Sequence, residues 1–121
     1  MKESPIFART YDLIQWLIEH AIKFPRSQRF ILAQAITRNA LRFEELLIEA
    51  GTGLNTADRL KEADAELAKL RVQVRRCHDM RLLSLGHYEH AIQRLTEIGR
   101  LLGGWRKKLS TTVPAGESAG A

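Results

Sequence analysis

Leu60, Ala63, Leu67, Leu70, Val74 and Cys77 alternate at spacings of three and four without a break. A heptad a/d pattern held this long fixes one apolar seam along a helix and demands a partner for it. It excludes a strand over the same residues, because strand side chains alternate with a period of two. The segment that carries it runs from about Thr56 to Met80, with Asn55 or Thr56 as its N-cap. Its first half holds Asp58, Glu62, Asp64 and Glu66, and its second half Lys69, Arg71, Arg75 and Arg76. That order matches the helix dipole.

Three other segments repeat the pattern. From about Pro5 to Phe24, Leu13, Ile14, Leu17, Ile18, Ala21 and Ile22 form one apolar face, Ser4 and Pro5 open it, and Pro25 ends it. From about Ser27 to Ala50 the stripe is Phe30, Ala33, Ile36 (or Thr37), Ala40, Phe43 and Leu47. Ile31, Leu32, Leu41, Leu46 and Ile48 widen it, so this helix is apolar on more than one side, and Gly51 is the expected C′ residue. From about Leu85 to Leu109, behind a Ser84 cap, Tyr88, Ala91, Leu95, Ile98, Leu102 and Trp105 recur at three and four. Gly99 and Gly103 lie four apart on a neighbouring line and predict a close helix approach. Four helices joined by short connections predict an all-α, antiparallel up-down-up-down four-helix bundle over residues 1–109. The Ser, Thr, Gly, Ala and Pro of residues 110–121 predict a disordered tail.

Composition bounds what such a bundle does. A chain of 121 residues supports one core. Lys+Arg number 19 against 14 Asp+Glu, a net charge of +5, and thirteen of the cations are arginine. Arginine forks suit phosphate and carboxylate, and a net positive charge gathers polyanions. The lone Cys77 excludes an intramolecular disulfide and a multi-cysteine zinc site. The start of the chain has no signal-peptide core and no apolar run is long enough to span a bilayer, so a soluble cytoplasmic protein is expected.

Nothing in the sequence assembles into a catalytic or metal site. His87 and His90 are three apart and His78 adjoins Cys77, but the Glu-x-x-His pairs of a di-iron bundle are missing. Cys77 sits on the core stripe, where a thiol behaves as a small hydrophobe. Glu44, Glu45 and Glu49 read as a solvated face, and Gly51-Thr52-Gly53 lacks the lysine and strand of a phosphate loop. No enzyme, cofactor, metal or small-molecule substrate is expected. The candidate binding residues are the cations off the core stripes: Arg26, Arg29, Arg38 and Arg42 on the second helix, Lys69, Arg71, Arg75 and Arg76 on the third, and Arg94, Arg106 and Lys107 on the fourth. Such ladders could hold a phosphate backbone, and cations also stabilise helix C-termini whatever the function.

Several runs carry a family likeness: Tyr11-Asp12-Leu13 with Trp16-Leu17, Phe24-Pro25-Arg26-Ser27-Gln28-Arg29-Phe30, the third-helix run from Ala63 to Arg75, and Ile98-Gly99-Arg100-Leu101-Leu102-Gly103-Gly104-Trp105. Together they resemble the accessory variability determinant (Avd-like) proteins of diversity-generating retroelements, which are related to four-helix-bundle proteins encoded in 23S rRNA intervening sequences. The resemblance spans about Tyr11 to Lys107. It implies a four-helix bundle assembled into a homopentameric barrel, with no activity of its own. It further implies binding to the element's reverse transcriptase and to template RNA or cDNA, in support of mutagenic copying. The arginine content and the Gly-Gly-Trp ending favour the retroelement branch. An intervening-sequence-type protein, or an interaction bundle with no nucleic-acid role, is the alternative.

Overall fold

The computed structural model describes residues 4–112, apart from the side chains of Gln28, Arg29 and Thr112. It is helical throughout, with four long helices and no strand among the described residues. Helix α1 is Pro5–Ala21, α2 is Gln34–Gly51, α3 is Thr56–Asp79 and α4 is Leu85–Thr112. A helical turn, Arg26–Gln28, and a π-helical segment, Arg29–Ala33, lead into α2. The helices close a ring of neighbours: α1 packs on α2, α2 on α3, α3 on α4 and α4 back on α1. Cross-helix pairs run in opposite order on the α2–α3, α3–α4 and α1–α4 seams; on the second, Asp64 meets Arg106 while Arg71 meets Leu95. Arg42 meets Glu62 while Arg59 meets Glu49, and Arg9 meets Glu97 while Trp16 meets His90. The bundle is therefore up-down-up-down.

The stripes decide which residues go inside. On α3 every position of the heptad, from Leu60 to Cys77, is buried. On α4, Ala91, Leu95, Ile98 and Leu102 are buried, while Tyr88 and Trp105 are half-buried at the two ends. Leu13, Ile14, Leu17 and Ala21 of α1 join them, and Ile6 and Thr10 extend the face one turn further back. Ile36, Ala40, Phe43, Leu46, Leu47 and Ala50 supply the α2 side. These residues form one contiguous core.

The ends depart from the expected pattern. Ile22 belongs to the predicted α1 face yet is 62% exposed, because α1 stops at Ala21 and the chain turns through Phe24. Phe30 belongs to the predicted second stripe yet is 69% exposed, and Ile31 is 70% exposed. The π segment explains this. Its wider turn rotates the following helix against the 3.6-residue count, so Leu32 and Ala33 reach the core and Phe30 does not. Gly51 is not the C′ residue: it is the last residue of α2, Thr52 is the cap, and the left-handed position is Gly53 at φ 88°. Ser110 to Thr112 are helical rather than tail, and the rest of the predicted tail lies outside the described residues.

The capping expectations divide. Ser4 stands at the α1 N-cap with Pro5 at N1, but its side chain makes no cap hydrogen bond. Ser84 does cap α4: the His87 N–H donates to its Oγ at 3.1 Å. The end of α3 is a Schellman turn, in which Leu82 N–H donates to the Cys77 carbonyl and Arg81 N–H to that of His78. Its left-handed residue is Arg81, at φ 63°. A Cβ in that conformation costs about 1–2 kcal/mol. Arg81→Gly is therefore expected to raise the unfolding free energy by about 0.5–1 kcal/mol, read as a higher urea midpoint at constant slope. An unchanged or lower midpoint would refute the assignment of strain to that residue.

Candidate partner-binding surface

The predicted cations do not form one ladder. Cross-helix carboxylates draw several of them into the scaffold. Arg42 on α2 contacts Glu45 and Glu49 of its own helix at 3.4 Å each and Glu62 of α3 at 3.6 Å. Arg59 completes the cluster through Glu49 and Glu62. Burial works against the Arg42 charge, but Glu49, Glu45 and Glu62 outweigh it, so the guanidinium holds its proton more tightly than usual. The acidic cluster on this helix is thus half of an ion-pair network and not a plain solvated face. Arg106 of α4 reaches Asp64 of α3 at 3.2 Å. Lys69 bonds Glu66, which also accepts from Asn39 across the α2–α3 seam at 2.6 Å. Burial alone would raise the Glu66 pKa, but the bonds from Asn39 and Lys69 and the charges of Lys69 and Arg42 hold it below the usual value.

Arg71 serves the α3–α4 crossing. Its guanidinium lies over Gly99 and donates to the Leu95 carbonyl at 3.3 Å. A Cβ on Gly99 would stand 2.5 Å from Arg71 Nη2 and 3.4 Å from Leu67 Cδ2, so this glycine makes room for the arginine. Gly103 has open space where its Cβ would be, so the close approach expected of the pair holds at Gly99 only. Gly103→Ala should then stabilise the helix by about 0.5–1 kcal/mol. Gly99→Ala should gain less, because it displaces the end of the Arg71 side chain from the Leu95 carbonyl and crowds Leu67. Equal melting-temperature gains in the two variants would contradict this reading.

The remaining cations stay in solvent. Among the described residues, Arg26, Arg38, Arg76 and Lys107 are exposed or project from the surface with no carboxylate at ion-pair distance. Arg75 is three-quarters exposed, and its contact to Asp79 is 3.9 Å, a pairing worth little in water. Arg75 and Arg76 flank a shallow groove with Val72, Asp79 and Met80. Arg94 is half-buried beside His90. Arg29 lies outside the described side chains.

Beside Arg38 lies an apolar groove of roughly 470 Å³, lined by Ala21, Ile22, Phe30, Ala33, Thr37 and Leu41. It joins the end of α1 to the π segment, and the residues expected to be core but found outside meet here. π-turns in helices often mark functional positions.

Two sequence readings about chemistry can be placed. Cys77 is fully buried, and burial pushes its thiol up to about 11, so it packs as a core residue. The histidines, taken separately in the sequence, meet in space: His20, His87 and His90 gather around Trp16 between α1 and α4. No spacing along the chain reveals this, because it depends on α1 and α4 being antiparallel neighbours. Among the described residues no group of three or more His, Cys, Asp and Glu is arranged to hold a metal ion, and no helix is long and apolar enough to cross a membrane.

The four-helix bundle thus presents unpaired surface cations and an open apolar groove. The chain belongs to the bAvd-like family, whose model matches residues 6–109, nearly all of the described structure. That family points to an accessory protein of the Avd type. No curated protein sequence matches the chain.

Proposed function

We propose that this protein is a non-catalytic accessory component of a diversity-generating retroelement. It binds the element's reverse transcriptase and its template RNA or cDNA, and it acts as a homopentamer in the cytoplasm. The family match over residues 6–109 carries this reading. Two surface features support it. Arg26, Arg38, Arg75, Arg76 and Lys107 keep their charge available to a polyanion. The exposed Ile22, Phe30 and Leu41 line one groove, the kind of contiguous apolar surface that monomeric proteins seldom leave open. A ring would cover that surface and repeat the cations around an axis, so that weak phosphate contacts add.

The test has separate arms. Light scattering of the purified chain reads the assembly, with a mass near five copies expected and a monomer contradicting the ring. Titration with single-stranded RNA at low and at physiological salt reads polyanion binding, which should weaken steeply as salt rises. Co-purification with a reverse transcriptase of a diversity-generating retroelement reads the partner. RNA affinity absent even at low salt would leave a protein-interaction bundle.

A further inference from the structure

Four rings meet where the last turn of α1 lies against the first turns of α4. Trp16 and His20 stack with centroids 3.9 Å apart and planes 28° apart. His90 tilts over the same indole at 5.0 Å, and His87 meets it edge-on at 5.9 Å. His20 and His87, from opposite helices, are themselves 4.7 Å apart. We infer that this cluster is a proton-sensitive clasp, which holds the end of α1 on α4 at neutral pH and releases it in mild acid.

Neutral imidazoles stack on an indole and on one another as flat, weakly polar rings. Two imidazoliums held at the 4.7 Å separation of the His20 and His87 rings would repel. His20 lies in the last turn of α1 and its ring covers the face of Trp16. A proton on His90 has a poor place: the ring lies near the positive end of α4, and any charge on His20, His87 or Arg94 repels it. The charged groups acting on His90 are Arg94 on its own helix, His20 across the seam on α1 and His87 one turn back. All are cationic or become so on protonation, and no carboxylate is among them. Burial first, and then Arg94, His20 and His87, hold the His90 pKa below its ordinary value. His20 is fixed in place by a 2.8 Å contact between its Nδ1 and the Trp16 carbonyl, so it cannot swing away cheaply.

The direction follows from linkage. The folded chain disfavours the charged form of His90, so the unfolded chain binds more protons. The clasp is intact above the ordinary histidine pKa, near 6.5, and is lost as the pH falls below it. The far end of the same seam is held by Phe7 against Trp105, rings that do not titrate, so the release is confined to one end of α1. The fourth histidine belongs elsewhere. His78 stacks on Tyr88 and has Asp79 as its neighbour, on the α3 side of α4.

Nuclear magnetic resonance titration of the histidine ring protons in the unmodified chain tests this directly. His90 is expected to titrate below the ordinary histidine value, with Trp16 resonances moving in the same range. In a Trp105→Phe background the Trp16 emission should shift to the red between pH 7.5 and 5. The melting temperature should fall over that range, and His87→Gln/His90→Gln should remove at least half of the fall while leaving the midpoint at pH 7.5 within a few degrees. Three histidines titrating independently near 6.5 with a static Trp16 would overturn the clasp. So would an undiminished acid fall in the double variant, which would assign the pH dependence to His78 or to the carboxylate network. The ring-proton titration needs no substitution, so the inference stays testable even if a variant does not fold.

Discussion

Phe43→Ala is expected to lower the unfolding free energy by about 3–5 kcal/mol, the largest single-residue effect anticipated in this bundle. Phe43 is 2% exposed and is the largest of the side chains wholly inside the core. Truncation removes a buried ring and leaves a void that four rigid helices close only in part. At several degrees per kcal/mol the melting temperature should drop by roughly 10–20 °C. Phe30→Ala removes the same atoms thirteen residues earlier on the same predicted stripe. In the isolated chain it should change stability by no more than about 0.5 kcal/mol, because Phe30 is already in solvent. The pair separates core from surface cleanly. It also reads the groove: if Phe30 is covered in an assembly, Phe30→Ala shifts the apparent stability only at concentrations where that assembly forms. A large, concentration-independent loss from Phe30→Ala would mean that the π segment packs inward.

That contrast marks where the sequence is legible. A stripe is readable when an unbroken helix keeps it against two neighbours along its whole length. This holds for α3, whose six heptad positions are all buried. It fails at Phe30, because nothing in the residue types announces a π-turn, and one added residue per turn is enough to move a ring from core to solvent. It fails at Ile22 because the chain turns after Ala21, earlier than Pro25 requires. Interactions within one helix turn are legible, as with Ser84 and His87. Those between helices are not. The cations of the second, third and fourth helices are visible as a set, but Glu62 opposite Arg42, Asp64 opposite Arg106 and the Leu95 carbonyl beneath Arg71 come into view only once the seams are known. The cluster around Trp16 is hidden for the same reason, since His20 and His87 are far apart in sequence and meet through antiparallel pairing.

The division of the cations makes the second large effect specific. Arg75→Glu/Arg76→Glu is expected to weaken RNA binding at low salt by at least about tenfold and to flatten the dependence of log affinity on log salt by about one to two. Both guanidiniums are exposed on one face of α3, and their loss costs the fold little, since the Arg75–Asp79 contact is long and solvated. The melting temperature should therefore stay within a few degrees of the parent. Arg42→Ala should do the reverse. It strips the shared cation from Glu45, Glu49 and Glu62, so the α2–α3 seam loses about 0.5–1 kcal/mol while RNA affinity is kept. Arg71→Ala should behave like Arg42→Ala, because its guanidinium is occupied by the Leu95 carbonyl. The measurement is a salt titration of RNA affinity on all three variants beside their thermal midpoints. The double reversal changes the net charge by four and each alanine variant by one, so the charge-matched comparison is Arg75→Ala/Arg76→Ala against Arg42→Ala/Arg71→Ala: equal weakening of those two means that affinity follows total charge and there is no located interface. If Arg75→Ala/Arg76→Ala weakens binding and the charge-matched Arg42→Ala/Arg71→Ala does not, the outer face of α3 is where the polyanion lies, because the arginines removed there are the ones the scaffold does not use.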